Sequence, residues 1–251
     1  MTRSLPTILL LCALPFAAPA HENETSVTRE GAMTCIASNG TPNHEMGRFP
    51  NAANPNTFLE QALRFCFPMQ PQRATGVTRG LMTVGVTTTG VPIRPYTAGY
   101  HDPDGRRGIG REPSAWRQQA MHDPASLGMD AENAHVDRSG LYHYHGVSAA
   151  FLAAQGDTLI GYAPDGFEIR YSPDSATSSW QLKAGTRPDG PGGIYDGTFE
   201  EDFEYLAGSG TLDECNGGLV DGVYTYFATD SYPFFPRCFV GVVNPDFLTR
   251  S

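Results

Sequence analysis

The sequence predicts a mainly β protein, an antiparallel sandwich or barrel-like domain of short strands and hairpins with one or two short helices. Three observations lead there. Short runs enriched in β-branched and aromatic residues recur along the chain. Asp-Gly pairs at 165, 189, 196 and 221 mark turns at short intervals. Only one segment carries a clear helical signal, a capping-box pattern at Thr57-Phe58-Leu59-Glu60.

Residues 1–20 read as a secretory signal peptide: Arg3 supplies the positive start, Pro6 to Phe16 are almost all apolar, and Ala18-Pro19-Ala20 fits an A-x-A cleavage site. The apolar run is too short to cross a bilayer, so no transmembrane segment is expected and the product is secreted or periplasmic. Loss of Arg3 leaves 16 basic against 27 acidic residues, a formal charge of −11. Such a balance argues against nucleic acid or an anionic membrane as partner. It is silent on any small-molecule or protein partner.

Cys12 leaves with the signal. Cys35, Cys66, Cys215 and Cys238 remain, an even set that in an exported protein suggests two disulfides. The simplest pairing is Cys35 with Cys66 and Cys215 with Cys238, although three pairings are open to the sequence.

Residues 21–75 read as an irregular N-terminal segment with a short helix. His21 to Asn56 is polar, aperiodic and loop-like. In the helix that follows, Phe58, Ala62 and Phe65 share a face, and Pro68 ends it. Residues 76–251 read as the β domain. Gly80 to Ile93 predicts strand, turn, strand. His101 to Gly105 predicts a turn, and Pro113 to Met121 a brief helix that buries Trp116. Thr158 to Tyr171 predicts two strands around an Asp-Gly turn. Along Phe199 to Tyr205 a strand would place Glu200, Asp202 and Glu204 on one solvated face. Near the end, Val223-Tyr224-Thr225-Tyr226-Phe227 echoes Leu141-Tyr142-His143-Tyr144-His145 without its histidines. A degenerate internal repeat and a plain second strand with tyrosines on one face both account for the echo.

The chemistry concentrates at Gly140-Leu141-Tyr142-His143-Tyr144-His145-Gly146. In an extended chain His143 and His145 share one face, and Tyr142 and Tyr144 the other. Roots at i and i+2 lie roughly 6.5 to 7 Å apart, so both imidazoles can lean onto one ion. His-x-His on a strand is thus half of a transition-metal site. His135 lies just upstream, and a turn over Asp137 to Gly140 would fold its arm back beside the pair.

At these residues the chain resembles the YHYH domain family of exported proteins. The likeness runs through Gly-Val-x-x-x-Gly-Val-Pro at 85–92, Asn-Ala-His-Val at 133–136 and Tyr-His-Tyr-His-Gly at 142–146. It continues through Ile-Gly-Tyr-Ala-x-Asp-Gly-Phe at 160–167, Tyr-Asp-Gly-Thr-Phe at 195–199, Leu-Asp-Glu-Cys-Asn-Gly at 212–217 and Pro-Arg-Cys-Phe at 236–239. The resemblance implies that His135, His143, His145, Asp165, Asp213 and Glu214 belong to a shared signature, and it implies no reaction. Thr225 and Glu168 stand where many relatives carry His and Pro.

The leading functional expectation is an exported metal-binding domain, with His143, His145 and His135 holding a zinc or copper ion. Asp213, Glu214 and Asp165 are then alternative ligands or carboxylates that fix the histidine tautomers, and Tyr142 and Tyr144 pack into the sheet. One alternative is a metal-dependent enzyme of hydrolase or oxidase type, with Asp213 or Glu214 as general base. Another is a structural or interaction module whose histidines form a hydrogen-bonded core network.

Overall fold

The computed structural model describes residues 21–248; the signal sequence read at 1–20 lies outside the described residues. Eighteen strands follow one another as β1 Thr25–Glu30, β2 Met33–Ser38, β3 Leu63–Pro68, β4 Arg73–Arg79, β5 Gly85–Thr87, β6 Pro92–Ile93, β7 Tyr96–Arg106, β8 Ile109–Gly110, β9 Arg117–Gln119, β10 Ala134–Val136, β11 Tyr142–Tyr144, β12 Leu159–Tyr162, β13 Glu168–Tyr171, β14 Trp180–Leu182, β15 Phe203–Tyr205, β16 Gly217–Val220, β17 Val223–Ala228 and β18 Cys238–Gly241. One α-helix, α1 Ala149–Gln155, is capped by Ser148, whose Oγ accepts from Phe151 N. Several sheets form and, among the described residues, none closes into a barrel, so of the two expected architectures the sandwich-like one is found.

The central sheet has eight strands in the order β10-β11-β6-β5-β12-β13-β17-β16. That order has a pseudo-two-fold centre between β5 and β12. On one side, β5 pairs with β6 with Gly85 opposite Ile93 and Val86 opposite Pro92. On the other, β12 pairs with β13 with Gly161 opposite Ile169 and Tyr162 opposite Glu168. Each unit then joins a later hairpin by a parallel pairing, Tyr144 beside Ile93 and Tyr226 beside Ile169. Within the hairpins Ala134 faces Tyr144 and Gly217 faces Tyr226. Eight strands therefore repeat as four and four, and the tyrosine echo belongs to a degenerate internal repeat.

Two pairings in this sheet are parallel, β6 with β11 and β13 with β17, among otherwise antiparallel neighbours. Parallel neighbours need a long crossover, and the chain between β6 and β11 supplies one with β7, β8 and β9.

The centre is packed tightly. A side chain at Gly161 would collide with the Val86 carbonyl, whereas at Gly85 it would meet the flexible end of Ile169. Val86, Ile93, Ile169, Tyr226 and Phe239 anchor the main core.

Both disulfides take the simplest pairing, Cys35 with Cys66 and Cys215 with Cys238. Cys35 and Cys66 face each other across β2 and β3. That pairing explains why the helix expected from Thr57 is absent. Residues 57–62 are irregular, and Leu63–Pro68 is a strand that buries Phe65 and Phe67 while Arg64 stays exposed. Tertiary pairing has overridden a weak local helical preference. Phe58 is buried all the same, against Val91, Val136 and Tyr142.

Three further expectations change. The His101–Gly105 segment continues β7, and the chain reverses at Arg107 and Gly108, both at positive φ. Trp116 is buried as expected, but β9 stands where a helix was predicted, and the indole Nε1 donates to Asp189 Oδ1 at 2.9 Å. The acidic run is not a solvated strand face. Glu200–Asp202 form a 3-10 turn, and only Phe203–Tyr205 is strand. Asp202 is fully buried and accepts from Arg187 Nε at 2.7 Å and Nη2 at 2.6 Å. Glu200 is buried with Tyr232 and Arg237. Buried charges persist when paired and hydrogen-bonded in this way.

Candidate metal centre

The hairpin β10–β11 builds the site. Asp137 Oδ1 accepts from the backbone N–H groups of Ser139 and Leu141, and Gly140 takes φ +85°, which together turn the chain tightly. The turn sets His135 directly opposite His143. His145 follows just beyond β11, where its N–H donates to Asn133 O at 2.8 Å. Its place on the His143 face follows from the two-residue alternation of an extended chain.

All three imidazoles converge. Ring centroids lie 4.7 Å apart for His135 and His143, 4.7 Å for His135 and His145, and 4.8 Å for His143 and His145. One ring nitrogen from each falls within 4.8 Å of the others. Nitrogens bound to one zinc at about 2.0 to 2.1 Å lie no more than about 4.2 Å apart, so only a small closure separates this arrangement from a three-histidine site.

The hydrogen bonds decide which nitrogens are free. His135 Nδ1 is 2.9 Å from Leu127 O, and His143 Nδ1 is 3.1 Å from Leu141 O. A carbonyl only accepts, so both Nδ1 atoms carry the proton and both Nε2 atoms offer a lone pair. Histidine ligands usually donate their other ring N–H in this manner, commonly to a backbone carbonyl.

His145 is different. Its Nε2 is 3.1 Å from His135 Nε2, while its Nδ1 is buried without a hydrogen bond of good geometry, although the nearby Pro95 carbonyl draws the ring's pKa upward against the effect of burial. If Nε2–H donates to His135, Nδ1 is a bare acceptor facing a carbonyl. If Nε2 instead binds a cation, Nδ1 carries the proton and can donate to Pro95. The donor set can hold a metal ion and is also hydrogen-bonded within itself, through His145 Nε2 and His135 Nε2.

Burial favours the neutral rings. It pushes His143 down to about 3, with the neighbouring His135 adding to the effect. His145 is held well below the usual histidine range by burial and then by His143, and burial lowers His135 as well. Imidazoles that are already neutral bind a metal without first losing a proton.

The tyrosines occupy the opposite face, as alternation predicts. Tyr142 OH donates to Asp130 Oδ2 at 2.8 Å, and Tyr144 OH is 2.6 Å from His44 Nε2. Both pack with Ala134 and Val136.

The three carboxylates singled out in the sequence make their contacts elsewhere. Asp213 accepts from Tyr224 OH at 2.8 Å. Asp165 accepts from Tyr226 OH at 2.7 Å and Gly241 N at 2.9 Å. Glu214, half exposed, pairs with Arg79 at 2.9 Å. The Nδ1 atoms of His135 and His143 meet backbone carbonyls, so those two tautomers are fixed without carboxylates.

Sequence reasoning missed Asp130, Asn133, His44 and the Leu127 carbonyl. A signal for the first two was present: Asp130-x-x-Asn133 precedes His135 as Asp213-x-x-Asn216 precedes Gly218. Both asparagines take positive φ, 57° and 60°, and both lend a side-chain amide to a backbone carbonyl. An alignment extended beyond the tyrosines would have exposed the pair.

A family model described as YHYH protein matches residues 64–241. No curated protein and no solved structure matches the chain.

Proposed function

The chain belongs to the YHYH protein family, and we propose that this member is an exported metal-binding domain in which His135, His143 and His145 hold a zinc or copper ion. The observation that carries the reading is the convergence of three neutral imidazoles, two of which have Nδ1 committed to carbonyls and Nε2 left to bind. All-nitrogen donors suit either metal. Export is supported by the two disulfides; among the described residues no helix is long and apolar enough to cross a membrane.

The test is metal analysis of the purified mature protein beside a His143→Ala/His145→Ala variant. Stoichiometric metal in the first and none in the second is expected. Equal, negligible metal in both overturns the reading.

One contact favours a purely structural role: the 3.1 Å approach of His145 Nε2 to His135 Nε2, which is a hydrogen bond if one ring donates. Under that reading, metal removal leaves the melting temperature unchanged.

A further inference from the structure

Three imidazoles supply no negative charge, so a divalent ion among them keeps its full charge in a place where His143 and His145 are 5% and 1% exposed. The carboxylates near the hairpin are already engaged. Asp130 is held by Tyr142 and Asp137 by Arg94. An uncompensated buried charge is costly, so the remaining coordination position favours an anion over a neutral ligand.

A second, independent observation lies beside His145. Among the described residues eight buried side-chain atoms lack a hydrogen-bond partner; besides His145 Nδ1, which faces the Pro95 carbonyl, three of them are N–H donors of this neighbourhood: Gln119 Nε2, and Nε and Nη1 of Arg237. Gln119 is 2% exposed and Arg237 5%. The segment Pro95–Tyr96 joins them. Pro95 presents its carbonyl to His145. Tyr96 is paired with Gln119 across β7 and β9, and its ring lies 4.3 Å from the Arg237 guanidinium carbon. Two residues beyond Gln119, Met121 Cε comes within 2.8 Å of where a Cβ on Gly146, next to His145, would lie. Glu200 takes Nη2 of Arg237 at 3.3 Å and the Tyr96 hydroxyl also draws on the guanidinium, while Nε and Nη1 make no well-directed hydrogen bond. Buried donors without acceptors are rare in folded proteins, and Arg237 and Gln119 offer only N–H groups where these atoms are open.

We propose that a small carboxylate anion is the fourth ligand at the histidine centre and that Arg237 and Gln119 receive it. The inference rests on the metal reading above. A carboxylate is favoured over a bulkier dianion because Glu200 already neutralises part of the Arg237 charge and the surroundings are closely packed. The site thus accepts an acid as substrate or ligand, with its charge shared between the ion and the guanidinium.

The test uses the full mature protein loaded with Co²⁺, whose visible absorption reports its coordination. Sodium acetate is titrated in, with sodium phosphate as a separate arm. Saturable spectral change with acetate, and acetate affinity reduced about tenfold or more in Gln119→Leu, is expected from the loss of a hydrogen bond to a charged group. Arg237→Met alone would strand Glu200, so the charge-balanced Arg237→Met/Glu200→Gln variant is used and should lose the acetate response while still binding Co²⁺. Failure to bind Co²⁺ overturns the metal reading and this inference with it. Co²⁺ binding with no acetate response, which is the result if ordered water fills the donors, overturns this inference alone, as does equal acetate affinity in wild type and both variants. A response to phosphate in place of acetate also overturns it.

Discussion

The two hairpins at the ends of the central sheet share a backbone and differ in chemistry. In the first, Asp130 Oδ1 accepts from the N–H groups of Glu132 and Ala134, and Oδ2 accepts from Tyr142. In the second, Asp213 Oδ1 accepts from Cys215 and Gly217, and Oδ2 from Tyr224. Asn133 O receives the N–H of His145, and Asn216 O receives that of Phe227. By register, Gly218, Thr225 and Phe227 stand where the first hairpin has His135, His143 and His145. Asp, Asn and Tyr therefore make the frame and the histidines are an addition to it. Even the bracing is exchanged: Glu132 ties to Ser148 and Ala150, whereas its counterpart Cys215 is bonded to Cys238.

The largest effect that would sharpen this contrast is metal removal. Chelation should lower the stability of the wild type by about 4 kcal/mol relative to protein held at a free metal concentration roughly a thousand times its dissociation constant. Thr225→Ala should keep the same response and His143→Ala/His145→Ala should lose it, as read by thermal melts with and without chelator. A Thr225→Ala protein that no longer responds would break the assignment of the ion to one hairpin.

Next come the two central glycines, which the repeat makes equivalent and the packing does not. Gly161→Ala drives a methyl into backbone and should cost about 3 kcal/mol or more, whereas Gly85→Ala meets a side-chain end that can turn away and should cost about 1 kcal/mol. Urea unfolding of both variants measures the difference, and equal costs would break the contrast between the two glycines.

The frame aspartates should behave alike in one respect only. Asp130→Ala and Asp213→Ala each strand a tyrosine hydroxyl and backbone N–H groups, three for Asp130, which also holds Gly47, and two for Asp213, at about 2 kcal/mol or more apiece. Only Asp130→Ala should also weaken metal binding, as followed by calorimetric titration, because it loosens the hairpin that carries the ligands.

A further contrast between the hairpins is the pH dependence of the metal-free protein. His143 has a folded pKa near 3, below that of an unfolded histidine, about 6.5. The unfolded chain therefore binds a proton that the native state refuses. Stability from this residue is complete above about pH 6.5 and is lost as pH falls toward about 3, with a slope of at most about 1.4 kcal/mol per pH unit. His143→Gln should flatten that slope in urea midpoints taken across the window. Thr225, its counterpart, contributes no titration at all.

Much of this was legible in the chain. Alternation along Tyr142 to His145 gave the two faces, and Asp137 to Gly140 gave the turn that returns His135, because both depend on neighbours within a few residues. The Asp165-Gly166 hairpin was readable for the same reason. What escaped depended on distant partners. The Thr57 to Pro68 segment carries a passable helical face and becomes strand because β2 pairs with it and Cys35 is bonded to it. Glu200 and Asp202 look like a wet face until Arg237 and Arg187 arrive from elsewhere in the chain. Asp165, Asp213 and Glu214 drew notice as metal-type residues, yet the first two serve tyrosine hydroxyls and the third a surface arginine.

The place of the histidine hairpin at one margin of the eight-stranded sheet has a consequence for how such a protein can change. Among the described residues the hydrogen bonds of the imidazoles run to Leu127, to Leu141 and to one another, not to the middle strands, so a descendant can exchange their chemistry by a few point replacements at the margin. The opposite margin, with glycine, threonine and phenylalanine in those three places, is what the outcome of such a change looks like.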